Sequence, residues 1–163
     1  MCMSKKYLIV YYSQSGNTKS AAELIQHVVD ADLYEIEAQD PYPTNYKELL
    51  KRVREEMDEN VDVAYKPVSI DVSSYDVIFV GTPNWGGKVA LPLATFLKQQ
   101  DLTGKTILPF LSHGGVGKQD IEDDLKELCP GAKVGSAYSA FQKVEEDDVE
   151  DVIAWMYQYM DRA

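Results

Sequence analysis

Cysteine is scarce in this chain, which contains only Cys2 and Cys129 among its 163 residues. Neither has a histidine or a second cysteine at the spacing of a zinc ligand pair, and two cysteines so far apart do not form a disulfide framework. The acidic stretch Asp120–Asp124 is typical of a solvated helix face. We therefore expect free thiols, no metal site and no fold that depends on disulfides.

Positive charge is also in short supply, since 16 Lys and Arg residues stand against 27 Asp and Glu residues, for a net charge of −11. A surface this acidic repels the phosphates of nucleic acids and of anionic membranes, so neither is an expected partner. Basic proteins would be steered toward it. Charge alone does not separate such docking from a simple contribution to solubility.

Long hydrophobic runs are absent as well. No apolar segment approaches the roughly 20 residues that cross a bilayer. The N-terminal residues lead directly into the first predicted strand, without the apolar segment and cleavage site of a signal peptide, so we expect a cytoplasmic protein. The length of 163 residues predicts one domain over residues 1–163, and a content of 45% hydrophobic and 26% charged residues is typical of a globular protein.

The most informative stretch runs from Tyr7 to Ala22. It begins as a continuous apolar run, as expected of a strand buried on both faces of a parallel sheet. Small and polar residues follow, and an amphipathic helix pattern takes over at Thr18. Its predicted inward face consists of Ala21, Leu24, Ile25, Val28 and Val29.

The connection between this strand and helix has the composition of an anion site. Ser13, Ser15 and Thr18 supply hydroxyl donors, Gly16 lets the backbone approach a ligand closely, and Asn17 adds an amide. The unpaired N–H groups and the dipole of the helix N-terminus favour an anion at the same place. An ordinary capped connection is the alternative. Three hydroxyls, a glycine and an asparagine within six residues favour phosphate binding.

The rest of the chain alternates between strand and helix patterns. Further strand patterns occur at residues 32–37, 75–80, 106–111 and 133–141, and a helix pattern follows each strand. Asn45 and Glu48 form a capping-box pattern at the predicted start of the second helix. The predicted core-facing stripe of the last helix consists of Val149, Val152, Ile153, Met156, Tyr157 and Met160. This alternation predicts an α/β fold of three layers, with a doubly wound, five-stranded parallel sheet between helices.

Two further loops follow the third and fourth predicted strands, and ligands of such sheets bind outside the carboxyl ends of the strands. The first loop contains Pro83, Asn84, Trp85, Gly86 and Gly87, and the second contains Ser112, His113, Gly114, Gly115 and Gly117. A tryptophan presented from a loop either stacks on a flat heteroaromatic ring or folds back over the sheet. Its position beside a phosphate loop favours stacking.

Other proteins of this architecture need residues that the chain lacks. A receiver domain needs acidic residues where this chain has Tyr12-Ser13 and Val80-Gly81, and a low-molecular-weight phosphatase needs a cysteine and an arginine around the first loop. Residues 112–119 do not match the nucleotide P-loop motif, because Ser112 occupies the position of its first glycine. No dinucleotide fingerprint follows a strand.

Ser13-Gln-Ser-Gly-Asn-Thr18 resembles the FMN-phosphate loop of flavodoxins, whose usual form is Ser/Thr-x-Ser/Thr-Gly-x-Thr. The Trp85-Gly86 pair resembles their ring loop, and Pro41-Tyr-Pro-Thr-Asn-Tyr46 and Gly104-Lys-Thr-Ile107 resemble motifs of one flavodoxin-like branch. The chain is therefore similar to short-chain flavodoxins. The resemblance implies the strand order 2-1-3-4-5 and FMN at the carboxyl ends of the strands.

The resemblance also implies a role for each loop. The FMN phosphate would be held by Ser13, Ser15, Gly16, Asn17 and Thr18, the ring by Pro83, Asn84, Trp85, Gly86 and Gly87, and its polar edge by Ser112, His113, Gly114, Gly115 and Gly117. The glycine peptide after Trp85 would turn over to contact the flavin N5, as it does in flavodoxins. His113 either contacts the flavin or hydrogen-bonds locally. No residue is assigned a catalytic role, because the flavin carries the chemistry.

The function implied is that of a flavodoxin, which shuttles electrons between redox partner proteins that dock on an acidic surface. Two alternatives remain open. One is an FMN-dependent NAD(P)H oxidoreductase acting on quinones or similar acceptors. The other is a flavin-free module that uses the same loops for another phosphate ligand.

Overall fold

The computed structural model describes residues 6–113, 120–141 and 149–159. Its strands are β1 (Tyr7–Tyr11), β2 (Ala31–Glu35), β3 (Val77–Pro83), β4 (Thr106–His113), β5 (Lys133–Val134) and β6 (Tyr138–Phe141). Its helices are α1 (Asn17–Val28), α2 (Tyr46–Asp58), α3 (Leu91–Lys98), α4 (Ile121–Leu128) and α5 (Val149–Tyr157), with a short 3-10 helix at Val72–Ser74.

The strands form one parallel sheet in the order β2-β1-β3-β4-β5, and β6 also pairs with β4. Helices cover both faces. α2, α3 and α4 pack on one face with Leu8 and Val10, and α1 and α5 pack on the other with Ile9 and Tyr11. The predicted three-layer α/β fold and its strand order are therefore confirmed, and the apolar run of the first strand reflects burial on both faces.

The predicted fifth strand is divided into two pieces. Between β5 and β6, Ser136 donates its backbone N–H to the hydroxyl of Tyr159, and Ala137 donates its backbone N–H to Glu122 Oε2, each over 2.7 Å. Because side chains take these two N–H groups, the pairing with β4 is interrupted and then resumes at Tyr138. The sheet thus has five strand positions, the last of which contains two short strands.

Two helical stripes are shifted from the sequence prediction. Val28, predicted to face inward, is exposed, because the buried stripe of α1 passes through Ala21, Ala22 and Ile25. In α5, Tyr157 is 67% exposed, whereas Trp155, absent from the predicted stripe, is buried. The Trp155 indole N–H donates to the Ser136 carbonyl over 2.7 Å, so the ring is buried with its polar group satisfied.

The predicted cap of α2 is confirmed, since Asn45 Oδ1 accepts the backbone N–H of Glu48 over 3.1 Å. We expect Asn45→Ala to lower the free energy of unfolding by about 1 kcal/mol, because a helix N–H loses its partner. Asn45→Ser should retain most of the stability. Urea denaturation measures both variants, and equal stability of the alanine variant and the wild type would contradict the capping role.

Among the residues that the structure describes, no helix combines the length and the apolar character needed to cross a bilayer.

Candidate functional site

The phosphate loop, defined as residues 13–18, is folded tightly around one serine hydroxyl. Ser13 Oγ accepts the backbone N–H of Gly16 over 3.0 Å and that of Lys19 over 3.3 Å. Gly16 has φ = 96° and ψ = −8°, a left-handed conformation that glycine adopts without steric cost. Because Ser13 Oγ accepts two hydrogen bonds, its own proton remains available to a ligand.

The N-terminus of α1 is suited to an anion. The N-cap residue, Gly16, has no side chain to cap this helix, and the first turn holds no acidic residue. Ser13 Oγ accepts one of the first-turn N–H groups, that of Lys19. Ser15 is exposed beside it, as is Lys19, which adds a positive charge. The remaining N–H groups of the first turn attract an anion together with the helix dipole. The loop therefore fits a phosphate group.

A pair of buried hydroxyls joins the phosphate loop to the end of β4. Thr18 Oγ1 lies 2.9 Å from Ser112 Oγ, and the two residues are 2% and 8% exposed. The sequence placed these residues in two different loops, and the structure brings them into contact. Their mutual bond uses one hydroxyl proton, so the other is left for a further acceptor.

We expect this pair to show energetic coupling in a double-mutant cycle. Thr18→Val or Ser112→Ala alone leaves one buried hydroxyl without this partner, so each should lower the free energy of unfolding by about 1–2 kcal/mol. The double variant should cost less than the sum of the two, by about 1 kcal/mol. Urea denaturation of the four proteins measures the coupling, and strictly additive losses would contradict it.

The ring loop, defined as residues 83–88, contains a tight two-glycine turn. Trp85 and Lys88 exchange two backbone hydrogen bonds of 3.1 Å each. Gly86 and Gly87 have φ values of 64° and 85°, which fit a type I′ turn with positive φ at both central positions. Asn84 Oδ1 accepts the backbone N–H of Gly87 over 2.7 Å. This bond sets the orientation of the Gly86–Gly87 peptide in the structure, and the turning of the peptide toward a flavin stays a prediction.

The ring loop is also tied to the end of β4. Pro83 lies opposite Ser112 in the sheet register, and the backbone N–H of Asn84 donates to the Ser112 carbonyl over 2.9 Å. Ser112 therefore contacts the ring loop through its backbone and the phosphate loop through its side chain. The predicted meeting of these loops at one edge of the sheet is confirmed by these contacts.

Trp85 lies between the two interpretations that the sequence left open. Its ring centroid is 5.3 Å from that of Tyr12 and 5.1 Å from that of Tyr42, both nearly perpendicular. The side chain packs against the core on that side, while part of it remains accessible. Trp85 thus covers the end of the sheet and leaves part of its aromatic side chain accessible.

Tyr12 and Tyr42 were not among the predicted site residues. Tyr12 was interpreted as the end of the first strand, and Tyr42 lies between Pro41 and Pro43, where the prolines drew attention to a chain break. Burial raises the pKa of both phenols, and in Tyr42 the hydrogen bond to Glu56 raises the pKa further. Both tyrosines are therefore neutral hydrogen-bond donors at physiological pH. An aromatic residue enclosed by two prolines was the signal available in the sequence.

The third predicted loop is described only at its start. Ser112 is placed by the contacts above, and β4 ends at His113. Gly114, Gly115 and Gly117 lie outside the described residues. Their assignment to the polar edge of a ring remains a prediction, as does the role of His113.

Acidic residues form a rim beside the ring loop. Asp120, Asp123, Asp124 and Glu127 line one shallow depression together with Gly86 and Gly87. The Lys88 ammonium lies 3.6 Å from Asp124 Oδ1, so it balances part of the negative charge of the rim. In the part of the chain that the structure describes, no group of three or more His, Cys, Asp and Glu side chains is arranged to hold a metal ion.

The chain is similar to known flavoproteins. Among the solved structures that match it, two share 27% of its sequence. A candidate flavoprotein from Bacteroides eggerthii gives a TM-score of 0.84 and covers 97% of this chain and 99% of its own. A flavoprotein from Lactobacillus acidophilus, solved in complex with FMN, gives a TM-score of 0.77 and covers 94% of this chain and 99% of its own. No curated protein sequence matches the chain significantly.

The family model described as flavodoxin matches residues 6–156. This range contains β1 to β6, the phosphate loop, the ring loop and nearly all of α5. The sheet order, the two loops that meet at Ser112 and the family match agree, and the chain belongs to the flavodoxin family.

Proposed function

We propose that the protein is an FMN-binding electron carrier that shuttles electrons between redox partner proteins. The observation that carries this proposal is the junction at Ser112, which joins a loop suited to phosphate and a loop that presents an aromatic ring. A phosphate group and a flat ring in one ligand match this pairing. The FMN complex of the similar Lactobacillus acidophilus protein supports FMN as that ligand.

The phosphate loop and the ring loop fit this cofactor. Ser13, Ser15 and Thr18 would offer hydroxyls to the phosphate, with Gly16 and Asn17 at the helix N-terminus. Pro83, Asn84, Trp85, Gly86 and Gly87 would flank the ring, and Ser112 and His113, with Gly114, Gly115 and Gly117, would hold its polar edge. When bound, FMN supplies a ring that accepts and releases electrons. The side chains bind and orient the cofactor and set the charge around it.

The acidic rim favours a carrier over an enzyme that uses a nicotinamide dinucleotide. The rim carboxylates lie beside Gly86 and Gly87, where a second substrate would approach the ring. Dinucleotide phosphates would be repelled there, whereas a basic protein surface would be attracted. Negative charge near the flavin also disfavours adding electrons to it, so it lowers the reduction potential.

The first test is reconstitution with FMN followed by potentiometric titration without oxygen. We expect FMN to bind and electrons to enter at two separate one-electron potentials. Steady oxidation of NADH or NADPH by the loaded protein with a quinone acceptor would overturn the carrier proposal in favour of the oxidoreductase. Failure to bind FMN would overturn both and leave the flavin-free module.

Docking on the acidic rim has its own test, with cytochrome c as a basic electron acceptor. We expect the rate of electron transfer from the reduced protein to fall as ionic strength rises, because steering between opposite charges is screened. Asp123→Asn should slow the reaction at low salt. Asp30→Asn, an exposed change just before β2 and therefore at the opposite end of the sheet, is the matched control and should leave the rate unchanged. Equal rates for both variants would contradict docking at the rim.

A further inference from the structure

We propose that Tyr42 is a positioning residue of the cofactor site, which fixes Trp85 as a preformed wall for the flavin ring. This inference rests on the proposed function and deepens it, because it assigns ring affinity to a residue outside the predicted loops. Tyr42 acts through Trp85, and no contact between Tyr42 and the cofactor is required.

The first observation is that Trp85 packs against two tyrosine rings, which we call its aromatic seat. Tyr12, Tyr42 and Trp85 contact one another in pairs, with centroid distances of 5.1, 5.3 and 6.3 Å and interplanar angles between 73° and 83°. Edge-to-face contacts of this kind fix the direction of each ring. The hydrogen bonds of the ring-loop turn fix the backbone of Trp85, but they do not fix the torsion angles of its side chain. The orientation of Trp85 therefore depends on the two tyrosines.

Tyr42 is itself locked from α2. Its hydroxyl donates to Glu56 Oε1 over 2.6 Å, and the guanidinium carbon of Arg52 lies 4.0 Å from its ring centroid. Arg52 Nε donates to Glu56 Oε2 over 3.2 Å, which closes a cycle of three side chains. A buried aromatic ring held by a hydrogen bond at its edge and a cation on its face has one preferred position.

Arg52 also holds the backbone on which Tyr42 lies. Its Nη1 donates to the Pro41 carbonyl over 2.9 Å, and its Nη2 donates to the Asp40 carbonyl over 2.8 Å. Proline on each side of Tyr42 restricts the backbone further. Residues 41–43 belong to no helix or strand. The bonds from Arg52 and the two prolines hold this segment in place instead.

The phosphate loop is linked to the same segment less directly. The Tyr12 hydroxyl donates to Gln14 Oε1 over 2.5 Å, and Gln14 Nε2 reaches the Pro43 carbonyl over 3.4 Å. That loop has its own supports at Ser13 and at the Thr18–Ser112 pair. Loss of the Tyr42 ring should therefore affect binding of the flavin ring and leave binding of the phosphate largely intact.

The test compares three ligands, namely FMN, riboflavin and inorganic phosphate. We expect Tyr42→Leu to weaken FMN and riboflavin equally, by about three- to tenfold, with phosphate binding unchanged. Tyr42→Phe, which keeps the ring, should stay within about twofold of the wild type. Tyr46→Leu, at a tyrosine that is 71% exposed, is the matched control and should change nothing.

A spectroscopic measurement tests the seat without any cofactor. In a Trp155→Phe background, acrylamide should quench Trp85 fluorescence more strongly after Tyr42→Leu and not after Tyr42→Phe. Arg52→Gln is a milder change in the same network, and it should also strengthen the quenching and weaken flavin binding. This variant replaces Tyr42→Leu in both tests if Tyr42→Leu does not fold.

The outcomes separate this inference from the proposed function. A wild-type protein that binds neither FMN nor riboflavin would overturn the proposed function and this role of Tyr42 with it. A wild-type protein that binds FMN, together with a Tyr42→Leu variant of equal riboflavin affinity, would overturn the positioning role alone. Equal losses for phosphate and riboflavin would do the same, because they would indicate a general loss of structure.

Discussion

Ser15→Asp is expected to weaken FMN binding by about 30- to 1,000-fold, or about 2–4 kcal/mol. The new carboxylate would stand in the phosphate loop against the phosphate group of FMN. Two like charges about 4 Å apart repel by about 1 kcal/mol in water and by about 4 kcal/mol at the effective dielectric of a protein surface. Fluorescence titration of FMN measures the loss, and it should shrink as salt is added.

Riboflavin gives this experiment its internal control, because it has the same ring and no phosphate. Its affinity should be unchanged in Ser15→Asp, and Ser15→Asn should bind both ligands nearly as the wild type does. The variant should fold, since Ser15 is exposed and an acid near the N-terminus of α1 stabilises the helix by about 0.3–1 kcal/mol. Unchanged FMN affinity in the aspartate variant would refute the phosphate assignment.

Trp85→Ala is expected to weaken FMN and riboflavin alike, by about 5- to 150-fold, or about 1–3 kcal/mol. The substitution removes the aromatic surface that the ring loop presents, so stacking and the burial of the ring are lost together. The affinity for inorganic phosphate should not change, because Ser13 and the helix N-terminus hold that part of the site. Calorimetric titration with each ligand measures the three affinities.

Trp85→Phe keeps a smaller ring at the same place and should recover most of the affinity. The pair of variants decides between the two roles of Trp85. If the alanine variant binds both flavins as tightly as the wild type but unfolds at a lower urea concentration, Trp85 serves only to cover the end of the sheet.

The parts of the fold that could be predicted from sequence are those with a local pattern. The apolar run at β1 reflects burial on both faces, and Asn45 with Glu48 marked the start of α2. The division of the fifth strand has no such pattern, because Glu122 and Tyr159 reach it from other elements. Trp155 was missed for the same reason, since its indole partner Ser136 is 19 residues away.

The candidate site also has parts that the sequence predicts and parts that it does not. Parallel topology places the carboxyl ends of β1, β3 and β4 at one edge, so the meeting of their loops followed from strand order. The contact between Thr18 and Ser112 spans 94 residues, and no spacing rule selects those two hydroxyls. Tyr42 reaches Trp85 from a segment between two prolines, which sequence patterns treat as a chain break.

The N-terminus of α1, where the N-cap residue Gly16 supplies no capping side chain, makes the stability of the protein depend on cofactor supply. A ligand that binds the folded state alone stabilises it by about 2.7 kcal/mol at 100 times its dissociation constant. On the proposed function, a cell starved of riboflavin would hold more of this protein in the less stable apo form. Proteases act on the transiently opened chain, so the abundance of the protein would follow the flavin status of the cell.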